Sequence, residues 1–416
     1  MKALQRIKGT DDILPPESRL WRYLYDVVHQ TMSQYGYNEI IVPMFEYTEL
    51  FARGIGEATD IVSKEMYTFK DMGGRSITLR PEGTASVVRA FTENSLGSKS
   101  PLSKLYYIGP MFRQEKPQKG RKRQFYQFGL EVLGTDSPFA DVEGIVLNVR
   151  ILQKLGINDT QLMINSIGDP ESRSVYKESL KEYIKSRLDN ICDDCRKRYE
   201  NNPLRVLDCK RQECRKEMQN APSILEHLNK DSKKHFESVK AGLDAIGIEY
   251  KINERLVRGL DYYTRTVYEI VSSSLGAQDS ISGGGRYDLL VEELGGKPTP
   301  AFGFAAGIER IILAMDGNKR DEIMDSGIDC FIAVLDTKIL TKAFELAENF
   351  RKAGLSVEIE LLGRSLKAQM REANRSGAKT VVMLGEDEIN RNVYGLKNMA
   401  TGDQKEYPLE SIPDIP

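Results

Sequence analysis

The sequence predicts a larger α+β domain with a mixed, mainly antiparallel sheet and a helical insertion, followed by a C-terminal α/β domain. Segments with strand patterns lie on both sides of a charged, mostly helical stretch, and beyond about residue 329 apolar strands alternate with helical spacers. At 416 residues the chain is also too long for one ordinary core. We therefore expect a first domain over 1–328, with an insertion at about 170–250, and a second over 329–416.

Apolar spacing predicts the elements of the first domain. Between Glu17 and Tyr35 apolar side chains recur every three or four residues, which indicates an amphipathic helix. Apolar runs at 105–112 and 125–133 flank a polar, basic loop and predict a long antiparallel hairpin. We further expect strands at 39–42, 76–80, 161–165, 264–271 and 301–304, helices at 83–93, 140–155 and 287–294, and a glycine loop at 283–285.

In the second domain, strands and helices are expected to alternate. Helices at 341–352 and 365–375 separate strands at 330–335, 357–361 and 379–384. Helical spacers of that length are typical of a mostly parallel sheet. The stretch 319–327 is the expected linker between the domains.

Composition narrows the class of protein. The chain is 40% hydrophobic and 29% charged, as globular proteins are, and it contains no apolar run of membrane-spanning length. Its start, Met1–Lys8, lacks the apolar block of a signal peptide, so we expect a cytoplasmic protein without a membrane partner. The net charge of −2 disfavours a DNA-coating protein but leaves room for local basic patches, such as 116–123 and 364–379, that contact RNA.

A candidate ligand site flanks the strand expected at 264–271. Arg258, Tyr262 and Tyr263 precede this strand, and the glycine triplet 283–285 follows it. Glycines allow a backbone to lie close to a ligand where a Cβ would collide. The arginine supplies a fixed charge and the tyrosines supply polar-tipped rings, so these residues predict a binding cleft.

Two further arginines stand where phosphate binding is favoured. Arg113 ends the first strand of the basic hairpin, where its planar guanidinium suits a two-point contact with phosphate. Arg310 lies at the start of a helix that follows the strand at 301–304, and the N-terminal end of a helix attracts polyphosphate. A surface ion pair is the alternative for Arg113, and the sequence Gly-x-Glu-Arg that ends at Arg310 also occurs by chance. The position of this sequence well after the basic hairpin favours a shared site.

These motifs resemble those of class II aminoacyl-tRNA synthetases. The hairpin 106–131 with its basic loop is similar to motif 2, segment 302–310 is similar to motif 3, and segment 17–43 is similar to motif 1. Segments 256–269 and 282–288 resemble the two signatures of the histidyl-tRNA synthetase family, and the turn Arg80–Thr84 resembles its carboxylate-bearing turn. The resemblance spans nearly the whole chain, from Gly9 to Asp403.

The resemblance implies a cytoplasmic, homodimeric enzyme that activates L-histidine with ATP and Mg²⁺ and transfers it to the 3′ end of tRNA(His). The first domain would be catalytic, and the second would be an anticodon-binding-like domain. The family's catalytic arginines match Arg113, Arg258 and Arg310. Its histidine-binding positions match Glu82, Gly83, Thr84, Gln127, Glu131, Tyr262 and Tyr263. ATP-binding positions match Arg113, Arg121 and Arg310, and the acceptor end of tRNA would meet Gln118 and Lys119.

Four cysteines form a separate motif. Cys192 and Cys195 are followed by Cys209 and Cys214, a C-x2-C and C-x4-C arrangement that is compatible with a tetrahedral zinc site. The family does not require such a quartet, and one pair is wider than the usual finger, so structural zinc and four free thiols remain open alternatives. Cys330 lies alone in an apolar run and is expected in a buried strand.

Three alternatives to this enzyme were weighed. A histidine-binding regulatory paralogue that acts on ATP phosphoribosyltransferase would be expected to lack residues 329–416 and to have degraded catalytic motifs. A synthetase for proline, threonine or glycine would share the three motifs but would not be expected to carry the signature 258–263. A synthetase-like fragment of a sensor kinase is disfavoured because the sequence contains no kinase segment.

Overall fold

The computed structural model describes residues 3–56, 59, 61–118, 120–276 and 280–413. Contacts divide the chain into two units, Met1–Arg320 and Asp321–Pro416. Among the described helices, none combines the length and apolar character that a membrane span requires.

The strands of the first unit form two sheets. In chain order they are β1 (Asn38–Glu39), β2 (Phe45–Tyr47), β3 (Thr68–Lys70), β4 (Ser76–Leu79), β5 (Ser103–Phe112), β6 (Gln124–Leu133), β7 (Thr160–Ser166), β8 (Lys251–Ile252), β9 (Thr264–Ser272), β10 (Ser280–Arg286) and β11 (Ala301–Gly307). The large sheet has the order β1-β5-β6-β11-β10-β9-β7-β8, and a small antiparallel sheet has the order β2-β4-β3. In the large sheet only the two outermost pairs, β1–β5 and β7–β8, are parallel, so the expected mixed, mainly antiparallel sheet is confirmed.

Twelve α-helices of four or more residues are described before the second sheet begins. They are α1 (Glu17–Gln34), α2 (Thr48–Ile55), α3 (Thr84–Glu93), α4 (Leu96–Lys99), α5 (Pro138–Lys154), α6 (Pro170–Lys185), α7 (Asp193–Asn201), α8 (Gln212–Glu217), α9 (Lys230–Ile246), α10 (Leu290–Glu293), α11 (Ile308–Ala314) and α12 (Gly317–Met324). Helices α6 to α9 occupy the stretch between β7 and β8, where the sequence predicts a helical insertion.

The large sheet presents two different faces. Helix α5 packs on one face, where a Cβ at Gly144 would press on the Phe302 ring and where Asn148 donates to the Tyr268 hydroxyl at 2.9 Å. Because side chains alternate across a strand, the neighbours of Phe302 and Tyr268 point to the opposite face. That face carries Gly303 and the buried carboxylate of Glu131, and the functional cavity opens there.

The second unit is the expected α/β domain. Its elements are β12 (Cys330–Val334), α13 (Leu340–Lys352), β13 (Val357–Ile359), α14 (Leu366–Arg375), β14 (Thr380–Leu384), α15 (Glu386–Asn390), β15 (Val393–Asn398) and β16 (Gln404–Pro408). The sheet order is β13-β12-β14-β15-β16, and β12 is parallel to both of its neighbours. The antiparallel strands β15 and β16 were not expected from the sequence, because β16 is mostly exposed and β15 has only two buried apolar side chains, Tyr394 and Leu396.

Three local expectations were wrong. The glycine triplet is not a loop but part of strand β10, because the neighbouring strand lies too close for side chains: a Cβ at Gly284 would sit 2.6 Å from the Phe304 Cα. The helix expected at 287–294 is reduced to α10, and the strand expected at 39–42 is reduced to β1. The division between the two units falls between Arg320 and Asp321, inside the expected linker 319–327, and α12 occupies most of that stretch.

Candidate active site

A cavity of about 830 Å³ opens on the face of the large sheet that α5 does not cover. Its wall combines the turn before α3, the β5–β6 hairpin, the segment 253–263, strands β9 to β11 and the start of α11. Among the described residues that line it, eight side chains are basic and five are acidic. The excess of positive charge suits an anionic ligand such as a polyphosphate.

One end of the cavity is built on two buried carboxylates. The carboxylate of Glu82 accepts from the backbone N–H groups of Thr84 at 2.6 Å and Ala85 at 2.9 Å, at the start of α3. The Thr84 hydroxyl then donates to Glu131 Oε1 at 2.7 Å, and the Tyr287 hydroxyl donates to Glu131 Oε2. Burial raises the pKa of both carboxyls, most strongly for Glu131, although these hydrogen bonds oppose the rise.

Close packing fixes this end of the cavity. A Cβ at Gly83 would lie 2.8 Å from the Tyr107 hydroxyl and would overlap its ring. A Cβ at Gly303 would lie 2.6 Å from the Leu130 carbonyl and would overlap the Glu131 carboxylate. Neither position therefore accepts a side chain while Glu131 and Tyr107 keep their places.

Two tyrosines close the same end. The rings of Tyr262 and Tyr263 lie 4.7 Å apart, and the Tyr262 ring meets the Tyr287 ring edge-on at 5.6 Å. Burial raises the pKa of both Tyr262 and Tyr263 above the ordinary range. Both hydroxyls therefore keep their protons at neutral pH and remain available as hydrogen-bond donors.

Arg258 lies beside this end, against strand β10. Its Nη1 donates to Glu269 Oε1 at 3.0 Å, and its guanidinium covers Gly283, where a Cβ would lie 2.5 Å from Nη2. Burial alone would lower the pKa of Arg258, but the charge of Glu269 outweighs it and the pKa is raised. The Arg258 side chain is thus always positively charged. Its position is set by the hydrogen bond to Glu269 and by the space that Gly283 leaves free.

The other end of the cavity is cationic. Arg113 donates to the Pro81 carbonyl at 3.0 Å, and its guanidinium lies 5.1 Å from the centre of the Phe125 ring. Arg121 forms an ion pair with Glu115 at 2.8 Å. Arg310, on the first turn of α11, donates to the carbonyl of Ser280. These arginines hold their places through protein contacts and still line the cavity.

Two buried polar atoms in the lining have no hydrogen-bond partner among the described residues. They are Gln127 Oε1, an acceptor, and Arg258 Nε, a donor. Leaving a buried polar group unsatisfied costs roughly 1–3 kcal/mol, so such atoms indicate a missing ligand or water. An acceptor and a cationic donor in one cavity match a ligand that carries both an ammonium and an anionic group.

Most of the expected site residues lie together. Those that line the cavity are Glu82, Thr84, Arg113, Arg121, Gln127, Arg258, Tyr262, Tyr263 and Arg310. Gly83 and Glu131 lie behind the wall, where they shape and support it. Gln118 pairs with Arg121 at the tip of the hairpin and is not part of the lining, and Lys119 lies outside the described residues.

Sequence reasoning missed several residues that hold the site together. Glu269 fixes Arg258, Tyr287 bonds to Glu131, and Glu115 binds Arg121. Lys210 and Arg215, which flank cysteines of the insertion, also line the cavity. The alternation of side chains along strand β9 could have indicated that Glu269 faces the cavity. By contrast, nothing in the sequence places the insertion beside the cavity.

The four cysteines of the insertion come together as their spacing suggested. The Sγ atoms of Cys192, Cys195, Cys209 and Cys214 all lie within 4.8 Å of one another. Zn–S bonds of about 2.3 Å in a tetrahedron imply sulfur separations just under 4 Å, so the cluster fits one zinc ion after a small contraction. Cys330 is buried in β12, as expected.

Family comparisons agree with this geometry. Residues 9–311 match the family described as histidyl-tRNA synthetase, and residues 329–415 match the anticodon binding domain family. The chain is 50% identical over 405 residues to the histidine–tRNA ligase of Halothermothrix orenii, with 97% of each chain covered. It is 48% identical to that of Bacillus subtilis over 409 residues, which cover 97% of this chain and 96% of the relative.

Solved structures give the same result. The crystal structure of apo histidyl-tRNA synthetase from S. aureus superposes with a TM-score of 0.82 at 38% identity, covering 98% of both chains. A histidyl-tRNA synthetase from Nostoc sp. PCC 7120 superposes with a TM-score of 0.73 at 22% identity, covering 98% of this chain and 97% of that one, which supports the fold alone. With a matched family over most of the first unit and full-length relatives near 50% identity, the chain belongs to the histidyl-tRNA synthetase family.

Proposed function

We propose that this chain is a histidine–tRNA ligase, which forms histidyl-adenylate from L-histidine and ATP and transfers the histidyl group to tRNA(His). The observation that carries the proposal is the cavity itself, in which a pocket of carboxylates and tyrosines adjoins a cluster of arginines. Such a cavity offers an acceptor surface to an imidazole and an ammonium, and a cationic surface to a triphosphate. The full-length relatives named histidine–tRNA ligase support the same assignment.

The carboxylate end is the proposed histidine pocket. Imidazole carries two ring nitrogens, and the Tyr262 and Tyr263 hydroxyls and the Glu82 carboxylate supply polar partners for them. The unsatisfied Gln127 Oε1 is the proposed acceptor for the α-ammonium group. Glu131 holds Thr84 in place from behind the wall by accepting from its hydroxyl. A site built on such polar contacts rejects side chains that lack them by large factors.

The arginines are proposed to stabilise the first step. The histidine carboxylate attacks the α-phosphorus of ATP, the bond to the bridging oxygen breaks, and pyrophosphate leaves. Negative charge accumulates on the phosphoryl oxygens, so fixed cations lower the barrier more than a base would. We assign Arg113 and Arg258 to the α-phosphate, and Arg310 and Arg121 to the β- and γ-phosphates. Magnesium would enter with ATP and neutralise part of the triphosphate charge.

The tRNA contacts are proposed on both units. Gln118, at the hairpin tip, is assigned to the acceptor end, as is Lys119, which lies outside the described residues. In the second unit Arg364 and Arg375 are bound by Glu360 and Glu372. The cations proposed to face RNA there line a surface cavity of about 790 Å³ and are Lys367 and Arg371.

Assembly and location are also proposed. Large apolar side chains are exposed at the end of the segment similar to motif 1 and just after it, namely Ile41, Met44, Phe45 and Tyr47. An apolar patch of this kind marks an interface, and the family resemblance supports a homodimer that buries it. Because its proposed substrates are ATP and tRNA, the site of action is proposed to be the cytoplasm.

The regulatory paralogue that binds histidine remains the second candidate. It would use the same carboxylate pocket without forming adenylate. The presence of Arg113, Arg258 and Arg310 in one cavity, and of a complete second unit, favours the enzyme.

A structural zinc ion is proposed for the cysteine cluster. The four thiolates would hold the ion, which would close the segment 192–214 and stabilise the insertion. The cluster contributes no side chain that touches the proposed reacting atoms, so the proposed role is structural.

The proposed function is tested by pyrophosphate exchange into ATP, measured without tRNA and separately with each of the twenty amino acids. Exchange is expected with histidine alone, because only its side chain satisfies the carboxylate pocket. Exchange with a different amino acid would contradict the specificity, and histidine binding without any exchange would favour the regulatory paralogue.

Replacing Arg258 by alanine should lower the single-turnover rate of adenylate formation by a factor of about 10² or more, because a fixed cation at the α-phosphate is lost. Arg258→Lys should recover part of the rate, since it keeps the charge without the planar guanidinium. Arg22→Ala is the matched control, because Arg22 is exposed on α1. A near-normal rate for Arg258→Ala would refute the assigned role.

Protein purified without added zinc should contain about one zinc ion per chain. Cys209→Ser should lose the ion and lower the melting temperature, since a thiolate ligand is removed from the cluster. Cys330→Ser should keep the ion, because Cys330 belongs to the second unit and is not a member of the cluster. A zinc content near zero in the unsubstituted protein would end the zinc proposal.

A further inference from the structure

The segment 257–263, which carries Arg258, Tyr262 and Tyr263, has almost no backbone support of its own. It contains no helix or strand. The one backbone–backbone hydrogen bond described within it runs from Asp261 N to the Ile55 carbonyl at 3.3 Å. A segment without regular backbone hydrogen bonds needs other contacts to hold the side chains of Arg258, Tyr262 and Tyr263 in place.

The insertion supplies those contacts through side chains. Arg205 donates to Asp261 Oδ1 from Nε at 3.2 Å and from Nη2 at 3.1 Å, and Nη2 also donates to the Gly259 carbonyl at 2.7 Å. Asn202 Nδ2 donates to the same Asp261 oxygen at 3.0 Å. From α6, Arg173 donates to the Tyr263 carbonyl at 2.9 Å. Two of the contacted groups are main-chain carbonyls, so the insertion fixes the backbone of the segment directly.

The ion pair between Arg205 and Asp261 is not an ordinary surface pair. The Arg205 side chain is only 12% exposed, and it makes three hydrogen bonds to two residues of the segment. The Asp261 side chain is 33% exposed, and its Oδ2 lies close to Gly56, where a Cβ would lie 2.7 Å from it. Breaking a partly buried, multiply bonded pair costs more than breaking an exposed one.

Asn202 and Arg205 lie between the two pairs of cysteines. Helix α7 contains Cys195 and ends at Asn201, a short 3-10 turn spans Pro203–Val206, and Cys209 follows. The cysteine cluster therefore brings together the two ends of the stretch 195–209, and the turn in the middle of that stretch contacts the segment 257–263. One apolar cluster contains both the pocket tyrosines and the insertion. Its members include Cys195, Leu204, Val206, Cys209, Tyr262 and Tyr263. The insertion and the pocket are thus one packed unit.

We propose that the turn 202–205 of the insertion, through Asn202 and Arg205, positions the segment 257–263 and thereby sets the affinity for histidine and the placement of Arg258. The inference rests on the proposed function, because it assigns this segment to histidine. Asn202 and Arg205 act through Asp261 and Gly259 and are positioning residues. The insertion accordingly contributes to amino-acid activation even when no tRNA is present.

The test is histidine-dependent pyrophosphate exchange without tRNA in the variants Arg205→Ala and Asn202→Ala. We expect KM for histidine to rise at least about 10-fold in Arg205→Ala, with a lower kcat, since misplacing catalytic groups by about 1 Å costs up to ~10²-fold. KM for ATP should rise less than KM for histidine, because three of the four arginines assigned to ATP, namely Arg113, Arg121 and Arg310, are held by contacts outside the insertion. Arg205→Lys, which keeps one cationic donor, should recover part of the loss.

Arg211→Ala is the matched control, because Arg211 belongs to the same insertion and is 61% exposed. A double substitution, Arg205→Ala with Asp261→Ala, should be no worse than the more severe single variant, which is the signature of a shared interaction. Melting temperatures measured in parallel identify general unfolding. Normal KM for histidine in a folded Arg205→Ala, or equal rises in both KM values, would overturn the proposal. Absence of histidine-dependent exchange in the unsubstituted protein would instead overturn the proposed function.

Discussion

The buried carboxylate of Glu131 is the interaction on which the architecture of the site depends. It lies in the middle of strand β6, fully excluded from solvent, and accepts hydroxyl donors from Thr84 and Tyr287. These donors come from the start of α3 and from the residue that follows β10, so one side chain joins three elements. An unpaired buried carboxylate is costly, and the structure therefore has to keep both hydroxyls in place.

The buried Glu131 carboxylate also restricts which residues can stand next to it. Gly303 must lack a side chain because the carboxylate occupies the space that a Cβ would take, and Gly83 must lack one because of the Tyr107 ring. With Thr84 fixed, Glu82 can accept from the first N–H groups of α3 and hold the turn that faces the cavity. At the opposite end Arg121 is held by Glu115 and Arg310 by Ser280, whereas Arg113 is bound to Pro81, in the same turn as Glu82. This turn thus links the two ends of the cavity.

Much of this fold could be predicted from the sequence, because apolar periodicity marks long elements well. Helix α1, the β5–β6 hairpin and the parallel strands β12 to β14 follow from spacing alone. The glycines of β10 were misread because glycine signals both a loop and a close approach of two strands, and only the neighbouring strand decides between them. Linker composition likewise could not exclude the short polar helix α12.

Site residues could be predicted from the sequence where they belong to a motif. They could not be predicted where they act by holding another residue in place. Arg113, Arg258 and Arg310 stand at the ends or starts of elements and line the cavity together. By contrast, Glu269 and Arg205 are separated in sequence from the groups they hold, by 11 and 56 residues respectively, and no local pattern links them. Contacts between distant segments depend on the tertiary fold, which periodicity does not encode.

The most direct test of the role of Glu131 is the affinity for histidine of the variant Glu131→Gln, measured by calorimetry. A glutamine offers one acceptor oxygen and replaces the other with an amide N–H2 donor, so either Thr84 or Tyr287 can no longer donate to this side chain and has to accept from it instead. We predict an affinity at least about 10-fold weaker than that of the unsubstituted protein, whereas Glu93→Gln, an exposed position on α3, should bind normally. Equal affinities for Glu131→Gln and the unsubstituted protein would contradict the account.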